Sequence, residues 1–175
     1  MAYYGRSRHG GSCGLIFTGT YEHAIDSKNR LAIPSSVRTQ IQRASGAGEG
    51  DAVFLYVALG EGKTLSLYTA ERFEQRANDL DQSEVDSDQL LMYERLFFSL
   101  AKRVELDRQG RVRLPEDLLR RSKLGRRVVL LGVKDHMEIR DRDWLGYVDQ
   151  ALKQDALATM NPRRAMRKPG TPGLA

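Results

Sequence analysis

The segment Asp26-Ser-Lys-Asn-Arg-Leu-Ala-Ile-Pro34 returns 81 positions later (107 − 26) as Asp107-Arg-Gln-Gly-Arg-Val-Arg-Leu-Pro115. Asp, Arg, Pro and the alternating apolar positions all coincide. A chain that repeats itself at a fixed interval builds one supersecondary unit more than once. At 175 residues it has room for one ordinary domain or for two very small units sharing a core.

Each copy reads as the same series of elements. His23-Ala24-Ile25 and Val104-Glu105-Leu106 have the length and apolar content of short strands. Asn29 and Gly110 then occupy equivalent positions, and these residue types most readily take positive φ, which predicts a tight reversal at each. Beyond it Leu31 and Ile33 alternate with Arg30 and Ala32, and Val112 and Leu114 with Arg111 and Arg113. That is the pattern of a half-buried strand with one apolar and one cationic face. Pro34 and Pro115 suit helix starts, predicting helices over 35–43 and 116–123, with Gly46-Ala47-Gly48 and Gly125 marking the exits.

Two more apolar runs follow in each copy, 52–59 with 65–68 and 128–133 with 137–139, and each pair reads as a second hairpin. Helical segments anchored by Phe73 and Trp144 come next. They lie 39 and 29 residues beyond the motif proline (73 − 34, 144 − 115), so the first copy is expected to carry a longer loop, at 46–50 or 60–63. Between the copies, residues 83–102 place Leu90, Leu91, Tyr93, Leu96, Phe97 and Leu100 at helical spacing, as a packed connecting helix would.

The expected organisation is therefore an α+β chain. A flexible extension (1–16) precedes a first unit (17–80), a connecting helix (81–102), a second unit with a C-terminal helix (103–150), and a helix end with a basic, Pro-rich tail (151–175). From Asn161 to Ala175 that tail is expected to be disordered in the free protein, and either to attract phosphate without sequence preference or to be a solvated basic segment with no role.

Hydrophobic residues at 41% and charged residues at 29% supply a core and a solvated surface, which excludes a disordered chain. Lys and Arg exceed Asp and Glu by five, and the pI is near 9.5, which favours an anionic partner. The single Cys13 excludes an internal disulfide, and no run approaches the roughly 18 apolar residues of a membrane span. The start lacks the apolar stretch of a secretory signal, so a cytoplasmic location is expected.

Phe17-Thr-Gly-Thr-Tyr21 followed by Asp26-Ser-Lys-Asn-Arg30 resembles the start of MraZ-family proteins, and the second Asp-x-x-x-Arg with its proline-started helix resembles their second half. The resemblance runs from about Phe17 to Val148. It implies two tandem SpoVT/AbrB-like swapped-hairpin β-units forming an intramolecular pseudo-dimer. It also implies a transcriptional regulator that assembles into homo-oligomeric rings on double-stranded DNA, at direct repeats upstream of the division and cell wall gene cluster, and that associates with the nucleoid. Its DNA-contacting loops fall here on Asp26, Lys28 and Arg30, and on Asp107 and Arg111; Asn29 is added as a candidate because an Asn amide can pair with adenine. Arg108, Gln109 and Arg113 join them from local geometry. Most members carry Gly where this chain has Asn29, which adds a side chain at a point of close approach.

The residue chemistry agrees with that implication. Arg forks to a guanine edge or a phosphate, Lys offers a mobile charge, and Asn or Gln pairs with adenine. A single Asp-Arg pair more often only braces a turn; two matched copies favour a binding role. Asp26 and Asp107 are read as braces, since a bare carboxylate beside phosphate is repelled, leaving Arg30 and Arg111 as principal contacts. No cofactor, metal site or enzymatic activity is expected: His9, Cys13 and His23 match no usual zinc spacing, and no nucleophile, phosphate-cradling loop or paired carboxylate has supporting context. The alternative is an antitoxin-like or assembly protein of the same fold whose basic loops hold a protein partner.

Overall fold

The computed structural model describes residues 15–48, 51–62, 64–81, 87–154 and 160. The N-terminal residues 1–14, with His9 and Cys13, and the tail 161–175 lie outside the described residues, as do the expectations placed on them.

The first repeat motif folds as strand β1 (Thr20–Ala24), strand β2 (Arg30–Ala32) and helix α1 (Ser35–Ser45). Pro34 precedes the helix at φ −53°, a value its ring imposes. Val37 and Ile41, one turn apart, are the buried face. The helix stops at Gly46, whose φ of 62° lies in the left-handed region. Strands β3 (Val53–Gly60) and β4 (Thr64–Thr69) form the hairpin, followed by helices α2 (Ala70–Asp81) and α3 (Ser87–Leu100).

The second repeat gives β5 (Lys102–Leu106), β6 (Arg111–Arg113), α4 (Glu116–Ser122), β7 (Arg127–Val133), β8 (His136–Asp141) and α5 (Trp144–Lys153). Here the left-handed residue closing the helix is Lys123, φ 54°, rather than Gly125. Its N–H reaches the Leu119 carbonyl at 3.0 Å, which fixes the helix end one turn after Leu119 whatever the side chain at 123. The extra length of the first copy resides mostly between Pro34 and β3: α1 has 11 residues against 7 in α4, and its exit loop is longer. The loop 61–63 exceeds its counterpart 134–135 by only one residue.

Among the described residues, all eight strands join one antiparallel sheet in the order β1-β7-β8-β4-β3-β5-β6-β2. The Ile25–Leu31 bridge links its two ends, so the sheet closes on itself. The first strand of each copy pairs with the hairpin of the other, β1 with β7 and β5 with β3. The β2 strand pairs with β6, its own equivalent. The fold is thus two duplicated β-units exchanged within one chain, related by a pseudo-twofold axis.

Alternation fills the interior. Leu31, Val112, Val57, Leu65, Val128, Leu130 and Ile139 are wholly buried. Each such side chain contributes about 1.5–3 kcal/mol by leaving water. Strand β4 is buried on both faces, because α2 packs over its outward side and Tyr68 there also meets Phe97 of α3. There Tyr68 joins Phe73 and Phe97, while Tyr56 stacks on Phe73 at 4.3 Å. The connecting helix packs through Phe97, half-buried Tyr93 and Leu100, but Leu91, Met92 and Leu96 are exposed, so its apolar face is wider than the surface it covers.

Candidate nucleic-acid interface

Each Asp-x-x-x-Arg segment forms the same turn. In the first, the Asn29 N–H donates to the Asp26 carbonyl at 3.0 Å and the Asp26 N–H to the Arg30 carbonyl at 2.9 Å. The Asp26 carboxylate locks the reversal: Oδ1 accepts from the backbone N–H groups of Lys28 (2.8 Å) and Arg30 (2.9 Å). Its Oδ2 accepts from Arg30 Nε and Nη2, both at 2.7 Å. The Arg30 hydrogen bonds hold the Asp26 carboxyl down at about 2.

In the second turn Gly110 donates to Asp107 at 2.8 Å, and Asp107 Oδ1 accepts from Gln109 and Arg111 N–H groups, both at 2.9 Å. Arg111 Nε reaches Oδ2 at 3.2 Å. Burial pushes the Asp107 carboxyl up, but the Arg111 backbone and side-chain bonds outweigh it and hold it below the usual range. Asn29 and Gly110 have φ of 59° and 74°, the left-handed geometry the reversal needs.

The turns are mounted on one two-stranded ribbon. Arg30 stands opposite Arg113 and Ala32 opposite Arg111, while Leu31 and Val112 between them point into the core. Backbone bonds at each end, Leu114 N–H to the Asn29 carbonyl (2.8 Å) and Ile33 N–H to the Gly110 carbonyl (2.9 Å), tie each turn to the other repeat's strand. Arg30, Arg111 and Arg113 therefore share the outward face, and Lys28, Arg108 and Gln109 are exposed at the turns. Every DNA-contact candidate named from the sequence stands on this ribbon or in its two turns.

Two arginines beside the turns carry no mark in the repeat motif. Arg126 donates through Nη1 to the carbonyls of Ile25 and Asp26, entering the first turn from the second unit. Arg38, on α1, lies against Gly110, where an added Cβ would overlap its Nη1 and Cδ. A repeat alignment has no signal for either, because their equivalents are Val53, opposite Leu106, and Leu119.

Among the described residues, no helix is long and apolar enough to cross a membrane, and no group of three His, Cys, Asp or Glu side chains is placed to hold a metal ion.

Comparison with known proteins places this geometry among relatives. A family model described as MraZ protein, provisionally antitoxin-like, matches residues 16–92 and again 97–167. A protein of Clostridium acetobutylicum named transcriptional regulator MraZ is 31% identical over 145 residues, covering 82% of this chain and 94% of that one. The protein of that name from Mycoplasmoides gallisepticum is 35% identical over 126 residues, covering 72% and 82%. That from Ureaplasma parvum serovar 3 is 29% identical over 141 residues, covering 81% and 90%.

Proposed function

This chain belongs to the MraZ family, and from that premise we propose that it is a sequence-specific, DNA-binding transcriptional regulator of the cytoplasm, associated with the nucleoid. It acts as a repressor of the division and cell wall gene cluster, binding direct repeats in promoter DNA as a homo-oligomeric ring. The observation that carries this reading is the ribbon: two matched turns and three outward arginines on one antiparallel pair.

A two-stranded ribbon fits the major groove, about 12 Å wide, where Arg forks onto guanine. Asp26 and Asp107 hold their arginines and turn backbones in place, leaving Arg30 and Arg111 to face the groove with Arg113. Lys28, Asn29, Arg108 and Gln109 meet phosphates and base edges from the turn tips. Ring assembly is supported by apolar side chains left uncovered on two helices: Leu91, Met92 and Leu96 on α3, and Tyr147 and Leu152 on α5, of which no residue is buried. A ring that offers several ribbons gains avidity when operator repeats match its spacing.

The same uncovered faces support the second reading, an antitoxin-like or assembly protein that docks another protein. The experiment that separates them titrates the purified chain against DNA from upstream of its own gene and against a scrambled duplex, over a salt series, with the Arg30→Ala/Arg111→Ala variant alongside. Tight, salt-sensitive and sequence-dependent binding, lost in the folded variant, is expected. Equal weak binding to both duplexes returns the chain to the protein-partner reading.

A further inference from the structure

The two turns are alike in backbone and unlike in what flanks them. The first is entered by Arg126, whereas the second has Val53 at the corresponding place. Conversely, Arg38 lies over the second turn, and the residue at the corresponding helix position of the second repeat is Leu119, which has no guanidinium to offer. The helix that carries Arg38 belongs to the first repeat and the turn it covers to the second, an adjacency created by the exchanged strands.

The state of Arg38 differs from that of its neighbours. Arg30 and Arg111 donate to carboxylates and Arg126 to carbonyls. Arg38 Nε is shielded from solvent with no acceptor, and no ion pair or hydrogen bond holds its guanidinium among the described residues. With no bond holding it, the Arg38 guanidinium can turn toward an incoming acceptor without breaking an existing interaction, and the shielded Nε–H gains a partner if it does so. Gly110 leaves open the space its own side chain would fill, and the Arg38 guanidinium occupies it. At the equivalent position of the first turn Asn29 brings an amide of its own.

We propose that Arg38 is a base-contacting residue of the second turn, so that the centre of one turn presents the Asn29 amide and the centre of the other, at Gly110, a guanidinium borrowed from α1. This rests on the DNA-binding reading above and adds to it that the two ends of the ribbon recognise different bases. A side-chain amide pairs in a bidentate manner with adenine; a guanidinium pairs with the O6 and N7 acceptors of guanine. The pseudo-symmetric ribbon is then a directional reader, suited to repeats that all point one way.

The test measures binding of the full chain and of Arg38→Met to upstream duplexes carrying single base-pair substitutions, with melting temperatures alongside. Methionine keeps an aliphatic stem over Gly110 and removes the charge. The expected result is about a tenfold loss on the native duplex, with the preference for guanine relaxed at one position of each repeat and unchanged elsewhere. Unchanged affinity, or an equal loss on every duplex, overturns the proposal. If Arg38→Met melts far below the wild type, the unmodified protein supplies the answer: upstream DNA should protect Arg38 from phenylglyoxal, and modification at the free-protein rate overturns it. Failure of the regulator reading has a separate signature, wild-type protein binding upstream and scrambled duplexes alike before any variant is compared.

Discussion

Leu31 and Val112, the same position in the two repeats, lie directly opposite one another on the β2–β6 ribbon, and both are wholly buried. The pseudo-twofold axis passes between them. Beneath the arginine face, this pair anchors the ribbon to a core drawn from both repeats.

Leu31→Ala is accordingly expected to destabilise the chain by about 2–5 kcal/mol, the range for a buried leucine that leaves a cavity. Val112→Ala removes less and should cost less. Because β2 and β6 come from different repeats, urea unfolding followed by fluorescence and by circular dichroism should still give one coincident transition. Two separate transitions would mean that the repeats fold independently.

Arg30→Ala and Arg111→Ala are each expected to weaken operator binding by tenfold or more while leaving the fold intact. Both ion pairs are partly exposed, with arginine side chains 29% and 27% accessible. Such solvent-screened pairs add little to stability. Each substitution that removes a phosphate contact should also flatten the slope of log K against log salt by about 0.9. A steep fall in melting temperature would reassign these arginines to a structural role.

The repeat made the strands legible, because period-two alternation and a positive-φ residue at the turn survive in both copies. Partner choice was harder to read. Nothing local to His23 says that β1 pairs with β7 about a hundred residues away; the exchange follows from closing the sheet. Gly125 reads as the helix exit, but α4 already closes at left-handed Lys123, whose N–H bonds to the Leu119 carbonyl and so does not wait for a glycine. The periodicity of α3 located the helix but not how much of its apolar face is covered, which depends on the surface beneath it. Arg38 and Arg126 were invisible for the same reason as the strand pairing: they meet turns that are distant in sequence.

The first turn should loosen in acid before the core does. Asp26 titrates at about 2 in the folded chain, against roughly 3.9 when unfolded. A depressed carboxylate stabilises the fold fully above the unfolded value, and the contribution fades as pH falls from about 4 toward 2. Following the Asp26 side-chain carboxyl carbon by NMR should place its midpoint near the lower limit. Arg30→Gln should move that midpoint up, since the Arg30 guanidinium is the largest cause of the depression. An unmoved midpoint would leave the backbone N–H groups as the sole support of the turn.

Exchanging the residues at the two turn centres separates backbone demand from side-chain function. Asn29→Gly relieves a φ of 59° that costs asparagine little, so its effect on stability should stay within about 1 kcal/mol. Gly110→Asn meets the same backbone demand, with φ at 74°, but its side chain enters space held by Arg38. The flexible guanidinium can swing away, so a modest drop in melting temperature is expected together with a distinct loss of operator affinity. The double variant Gly110→Asn/Arg38→Met should bind no more weakly than Arg38→Met alone. If instead the two losses add, the substitution at 110 acts on the turn itself and not through the displaced arginine.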